Sequence, residues 1–296
     1  MTAALEAHGV GKRRVGKRHR REWALRDLTL DVPEGSVVGL TGPNSSGKST
    51  LLGLAVGLLQ PDEGTLHAPP VSDIGYVAQD APLYRSFTVG EMLDFARELN
   101  VRWDQRLALE LLGSRSLETK VSSLSPGGRS RLALALALGK RPKLLLLDEP
   151  LAALDRLAGR ELLQVLMDGV AQTEAAVVIA TRVVTDIERV CDRIALLCDG
   201  AIRLEGTVEE LLANHRLLTG ARRPLGRIRG VEEIVRERHS GRMLTLLVRT
   251  DGPIVDPTWS VDEIGLEDLL LAYMAPEELP APQPPSDLRG RLRWHG

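Results

Sequence analysis

The chain has little of several things. Of its 296 residues two are cysteines, Cys191 and Cys198, and 3% are aromatic. The cysteines have neither CxxC spacing nor clustered histidines beside them, which argues against a zinc or redox centre and for reduced, structural thiols in a cytosolic protein. No run approaches the roughly 18 to 20 apolar residues that cross a bilayer, and the N-terminal stretch lacks a signal-peptide hydrophobic region. The chain is expected to be soluble by itself, so that any work on a membrane requires a membrane partner. A strong charge of one sign is missing too. The formal net charge is -2, so the overall balance demands no polyanionic partner. The exception is local: GKRRVGKRHRRE concentrates seven Lys/Arg between Lys12 and Arg21. Without interleaved aromatics to stack bases, the run is read as a solvated loop.

What is present is an ordinary globular composition. With 43% hydrophobic residues the chain can bury a sizeable core, as one large domain or two modest ones. From Trp23 the pattern tightens: ALRDLTLDVPEG alternates apolar and polar residues, and a turn leads to SVVGL, giving strand, turn, strand.

The second of these strands runs into TGPNSSGKST, residues 41 to 50, and then into LLGLAVGLL. Gly42, Gly47, Lys48 and Ser49 stand at P-loop spacing between an apolar strand and a Leu-rich helix. Glycines let the backbone of Gly42, Pro43, Asn44, Ser45, Ser46 and Gly47 wrap an anion, with the helix N-terminus at Lys48, Ser49 and Thr50 behind it. Lys48 can reach the β and γ phosphates, and the Ser49 hydroxyl can ligate Mg²⁺. Further on, KLLLLDEP reads as a fully buried strand ending in Asp148 and Glu149. Asp148 suits Mg²⁺ through water, and Glu149 suits polarising an attacking water.

The stretch LSPGGRSRLALALALG, residues 124 to 139, points several ways. Its Leu/Ala alternation has the period of a strand, its composition favours a helix, and its Gly pair suits a phosphate-contacting loop.

Taken in order, these segments resemble the ATP-binding subunit of ABC transporters over about residues 1 to 210. PDEGTL comes after the P-loop, and IGYVAQDAPLYRSFTVGEML places Gln79 at the family's Q-loop position. LSPGG stands at the signature position, KLLLLDEP at Walker B, and AALD ends in Asp155 at the D-loop. IATRVVTDIERVCDRIALLCDGAIRLEG matches the switch strand with the helix and strands after it. The resemblance implies an α/β P-loop NTPase fold: a RecA-like parallel sheet, an N-terminal antiparallel β-subdomain, a helical insert over about 85–130 and a cassette over 1–215. It implies ATP and Mg²⁺ as ligands, with Gln79 and Asp148 beside Ser49 at the metal and Glu149, Gln79 and Arg182 as catalytic groups. It also makes the signature loop the start of a long helix, stopped by Gly139. Ser125, Gly127 and Asp155 would meet nucleotide across a head-to-tail dimer.

Four departures from the family pattern bear on chemistry. Pro126 and Gly128 stand where the signature usually has Gly and Gln, so one N–H donor is lost, although a proline φ suits a first helical turn. Arg182 replaces the switch histidine. Arginine is always charged and only donates, so it either grips a γ-phosphate or pairs with a carboxylate in a slow cassette. Ser45 stands where Gly is common. The adenine-stacking aromatic is not obvious either: its place is near Arg14 or Val15, and Trp23 is the nearby aromatic, as a stacking platform or as packing beneath the β-subdomain.

Residues 89 to 123 read as helical and fit the insert that contacts permeases in the family. Beyond the cassette, 216–276 reads as a small α+β appendage, with strand character in MLTLLVRT and helix character in VDEIGLEDLLLAYM. The ending of that segment resembles the Leu-Glu-Asp motif of exporter-type ATPases. The Pro-rich 277–296 reads as a disordered tail. The expected function is ATP-driven export through a separate permease. The cassette would work as a homodimer or as a heterodimer with a second cassette, peripheral on the inner face of the membrane and without nucleic acid. Rival readings are an ATP-gated regulatory cassette with weak hydrolysis and a non-transport ABC ATPase acting on ribosomes or nucleic acid.

Overall fold

A computed structural model describes residues 2–15, 21–114, 116–226 and 228–274. Two compact units divide at Leu211 and Leu212. In the first, β1 (Ala3–Val15) and β2 (Arg21–Pro33) pair antiparallel, and β1 also pairs with β4 (Glu63–His67). The basic segment is therefore not simply a loop. Lys12 to Val15 close β1 and Arg21 opens β2, with Lys12 3.3 Å from Asp62 and Arg13 3.7 Å from Glu63. Opposite charges at the start of β4 and on the residue before it face these two cations. Residues 16–20 of the run lie outside the described residues.

The second sheet of this unit has the order β5-β6-β7-β3-β8-β9. Its strands are β3 (Val37–Thr41), β5 (Ile74–Val77), β6 (Leu144–Asp148), β7 (Ala176–Thr181), β8 (Arg193–Cys198) and β9 (Ala201–Thr207). Only the β8–β9 pair among them is antiparallel. Every residue of β3, β6 and β7 is buried, so LLLLD and AVVIAT need no polar face. Because β5, β6, β7 and β3 run parallel side by side, their C-terminal ends share one edge. That edge receives the segments holding Gln79, Asp148 with Glu149, Arg182 and the P-loop.

Helix α1 (Lys48–Ala55) leaves β3 through the P-loop. Between β5 and β6 stand α2 (Val89–Leu99), α3 (Gln105–Leu112) and α4 (Pro126–Gly139). Thr88 and Glu91 form a reciprocal capping box on α2, and Asp104 caps α3. The expectation of helix throughout 89–123 holds only in part. Gly113, at φ 69°, turns the chain out of α3, and the next regular turn is a short 3₁₀ segment, Val121–Ser123.

The Leu/Ala run is α4, as composition rather than period 2 implies. Leu132, Leu134 and Leu138 are buried, and so are the intervening Ala133, Ala135 and Ala137, so the buried positions run around most of the helix. Gly139 does not act as the expected stop. It is the last helical residue, Lys140 caps the end, and Arg141 makes the left-handed turn at φ 48°. Glycine is needed at 139 for a different reason: a Cβ there would lie 2.7 Å from the Trp103 ring. After β6 come α5 (Arg156–Thr173) and, beyond β7, the short α6 (Val184–Ile187).

The second unit is a four-stranded antiparallel sheet in the order β11-β12-β10-β13. It is built from β10 (His215–Ala221), β11 (Val231–Ser240), β12 (Met243–Thr250) and β13 (Ser260–Asp262). α7 (Val208–Ala213) precedes it and α8 (Leu266–Met274) comes after it. The strand in MLTLLVRT and the helix in LEDLLLAYM are β12 and α8. β10 and β11, which flank β12, carry weaker apolar alternation. Leu218, Leu244, Leu246, Val248 and Trp259 form this unit's own core. The Pro-rich tail 277–296 lies outside the described residues.

Candidate nucleotide site

The P-loop conformation follows from its glycines. Gly42 has φ 149°, and a Cβ there would lie 2.0 Å from the Leu197 carbonyl oxygen; Gly47 has φ 116°, and its Cβ would meet the Ala24 carbonyl oxygen at 2.5 Å. Neither position admits a side chain. Ser45 adopts the left-handed region at φ 64°, the strained conformation that its departure from glycine entails. Gly47 caps α1 without a side-chain bond, so the first N–H groups of that helix have no internal acceptor from a cap.

Lys48 is buried, and its ammonium donates to the carbonyls of Gly42 at 2.7 Å and Pro43 at 3.0 Å. Burial pushes its pKa down, partly opposed by the charges of Glu149 and Asp148. Burial likewise pushes the Asp148 carboxyl up, against the Ser49 hydroxyl and the Lys48 charge. Asp148 Oδ1 and Ser46 Oγ are buried without a hydrogen-bond partner among the described residues. A buried carboxylate oxygen lacking a donor beside a serine hydroxyl is what an oxygen-seeking divalent cation requires, so Asp148 and Ser49 fit Mg²⁺.

Glu149 comes directly after β6 at φ 47°, and its N–H donates to the Ala180 carbonyl at 2.8 Å, tying it to β7. Its carboxylate faces Arg182, the residue after β7. The guanidinium Nε stands 3.3 Å from Oε1, and the Arg182 N–H donates to Oε2 at 3.4 Å. Glu149 is 9% exposed at its side chain and Arg182 46%, so the pair sits at a mouth rather than in the core.

A cleft of about 510 Å³ is lined by Asn44 to Thr50 together with Gln79, Glu149, Arg182 and Arg14. One strand edge thus brings the loop, Glu149, Gln79 and Arg182 to the cleft, while Asp148, buried at the end of β6, and Gly42 and Pro43 are not among its lining residues. Ser125, Gly127 and Asp155 are not among the residues lining it. Ser125 Oγ accepts from the Gly128 N–H at 3.1 Å, with Pro126 at the first helical position and the Arg129 guanidinium donating to the Leu124 carbonyl at 2.7 Å. Asp155 accepts from the N–H groups of Leu157 and Ala158, both at 2.9 Å, and so caps α5.

Trp23 is not a platform on this cleft. It pairs with Arg13 across the ladder, the Arg13 guanidinium lies 4.4 Å above its ring, and Gly11 packs beside it. Strand alternation sends the next residue, Arg14, to the opposite face and into the cleft lining. That period-2 rule was the available signal for Arg14. Of the two cysteines, Cys191 is buried with its thiol pushed up to about 12 by desolvation, and Cys198 is also buried and raised.

Comparison with known proteins agrees with this geometry. The family model described as ABC transporter matches residues 25–152. ABC transporter ATP-binding protein YtrB of Bacillus subtilis is 32% identical over 198 residues, 63% of this chain and 68% of that protein. The sulfate/thiosulfate import ATP-binding protein CysA of a Synechocystis strain is 37% identical over 211 residues, 64% of this chain and 58% of that longer protein. A dimeric bacterial ABC transporter cassette superposes with a TM-score of 0.62 at 28% identity, covering 69% of this chain and 98% of that one. Both transport directions are therefore open on the relatives' names, since import proteins are among them. With the P-loop, the acidic strand end and the sheet order all in place, the chain belongs to the ATP-binding proteins of ABC transporters, the ABC-type ATPases.

Proposed function

We propose that this subunit binds ATP with Mg²⁺, hydrolyses it with Glu149 as the base, and energises export through a separate membrane permease. The observation that carries the reading is the convergence of Lys48, Glu149, Gln79 and Arg182 on one cleft. The loop amides and Lys48 would hold the phosphates, while Ser49, Asp148 and Gln79 would hold the metal, which when bound neutralises charge on the β and γ phosphates. Glu149 would orient and deprotonate the attacking water. Ser125, Gly127 and Asp155 would act on the nucleotide of a partner cassette, which their absence from this chain's own cleft supports.

The permease contact would fall on the helical insert. Both phenylalanines of the chain and one of its three tyrosines gather there: Tyr84 and Phe87 have centroids 5.1 Å apart, and Phe95 meets both edge-on. In a chain so poor in aromatics, a cluster with Tyr84 55% exposed supports a docking face. Export rather than import rests on the LEDLLLAYM segment of α8, which resembles the ending of exporter-type ATPases.

The Arg182–Glu149 contact favours a second reading of the rate. A carboxylate held by an arginine is a poorer base, so the cassette turns over slowly and acts chiefly by binding ATP. Steady-state ATP turnover of the native chain, beside Glu149→Gln and Arg182→His and with dimerisation recorded on the same samples, tests both. Turnover that Glu149→Gln abolishes while trapping an ATP-bound dimer supports the motor. ATP binding without turnover, unrestored by Arg182→His, overturns it for the isolated chain.

A further inference from the structure

A second cleft, of about 580 Å³, opens beside α5 and shares no lining residue with the nucleotide site. Its walls carry Arg156 and Arg160 from α5 and Arg189 from the segment after α6. All three are exposed, and none has an ion-pair partner among the described residues. The one carboxylate lining the cleft is Asp155, and its Oδ1 already accepts from two backbone amides. Between the arginines lies apolar surface: Leu154, Leu163, Met167 and Val190 are each half-buried and line the same space.

This arrangement is costly without an anion. Arg156 and Arg160 stand four residues apart on one helix face, where like charges destabilise a helix. Arg156 is also the first residue of α5, whose first turn has no acidic residue, so a cation sits where the helix field disfavours it. Asp155 occupies the free amides of that end, so a ligand would meet guanidinium groups rather than the helix terminus. Asp155 offsets the helix field at this end, but no carboxylate pairs with Arg156, Arg160 or Arg189 among the described residues, and local conflict of this kind is a feature of functional positions. Guanidinium forks match phosphate oxygens two at a time, and the volume and mixed lining are those of small-molecule sites.

We propose that this cleft binds an organic phosphate with an apolar body, its phosphate held by Arg156, Arg160 and Arg189 and its body resting on the Leu154–Leu163–Met167–Val190 floor. Two sources share that chemistry, a free phosphate ester and a phospholipid headgroup. The site lies next to Asp155, so its occupancy would be felt at the residue that caps α5.

The test uses the full chain carrying Lys48→Ala, which weakens phosphate binding at the P-loop. Calorimetric titration with 1-naphthyl phosphate and with 1-naphthol should show the phosphate binding at least tenfold more tightly. Arg160→Gln with Arg189→Gln should weaken the phosphate at least tenfold, and Arg156→Gln alone should weaken it severalfold, with melting temperature confirming the fold of each. Absence of binding, equal affinity for naphthol, or affinity unchanged by these substitutions overturns the proposal. Flotation with phosphatidylcholine vesicles containing phosphatidic acid separates the sources. Flotation lost in the double variant assigns a lipid headgroup; naphthyl phosphate binding without flotation assigns a free ester.

Discussion

Two glycine-bearing loops open helices in this chain, and they end differently. At α1 the cap is Gly47, which offers no side chain, so the helix end is left for an outside acceptor. At α4 the cap is Ser125, whose hydroxyl already takes the Gly128 N–H, with Pro126 removing a donor and Arg129 clamping the Leu124 carbonyl. Glycine content alone does not make an anion site; what matters is which N–H groups the loop has left unsatisfied. The first loop is built to hold phosphate within its own chain. The second has one of its amides already taken by its own serine, so less of its helix end is left for an outside acceptor, although the Ser125 O–H can still be donated.

The contrast is broken most severely at Lys48. Lys48→Ala should weaken ATP binding by about 100-fold, the scale of one or two charge-assisted hydrogen bonds, measurable by titration calorimetry. Next in size, Glu149→Gln should lower kcat by about 10²- to 10⁴-fold with ATP affinity nearly unchanged, as removal of a general base does. Arg182→His should raise kcat by about three- to tenfold if the guanidinium restrains Glu149, a modest effect because the pair is half open to solvent. A fall in kcat would instead make Arg182 a phosphate ligand.

Asp148 sharpens the comparison through pH. Its carboxyl is raised by burial, and Mg²⁺ needs the ionised form. Metal-dependent nucleotide affinity should therefore decline as pH falls, beginning above the ordinary carboxylate range, and Asp148→Asn should flatten that dependence. The smallest effect belongs to the second loop. Ser125→Ala removes a cap worth about 1 kcal/mol and should lower the melting temperature by a few degrees, leaving ATP affinity of the monomer untouched.

The P-loop and the acidic strand end were legible because spacing, strand context and residue chemistry agree there. The Leu/Ala helix was legible through composition, since alanine fits either a buried or an exposed position and so imitates a two-residue period. Gly139 misled because a helix stop and a close approach to Trp103 ask for the same residue, and sequence does not say which neighbour is near. For Trp23 the sequence left packing and stacking both open, because its covering partner, Arg13, becomes visible only with the ladder register. β10 and β11 escaped notice since half of a small sheet's residues face water and their periodicity is weak.

The order of the parallel sheet has a temporal side. Val37 of the P-loop strand pairs with Val177 of β7, and Val38 pairs with Arg193 of β8, so both neighbours of β3 are synthesised long after it. A ribosome therefore releases the phosphate loop well before the strands that flank β3. The apolar segment VVGLT must wait without its ladder, and a chain cut short before β7 has a binding loop with no sheet beneath it. Late closure of this kind slows folding and leaves an apolar strand exposed meanwhile, so a chain that stalls before β7 is expected to aggregate rather than to bind nucleotide.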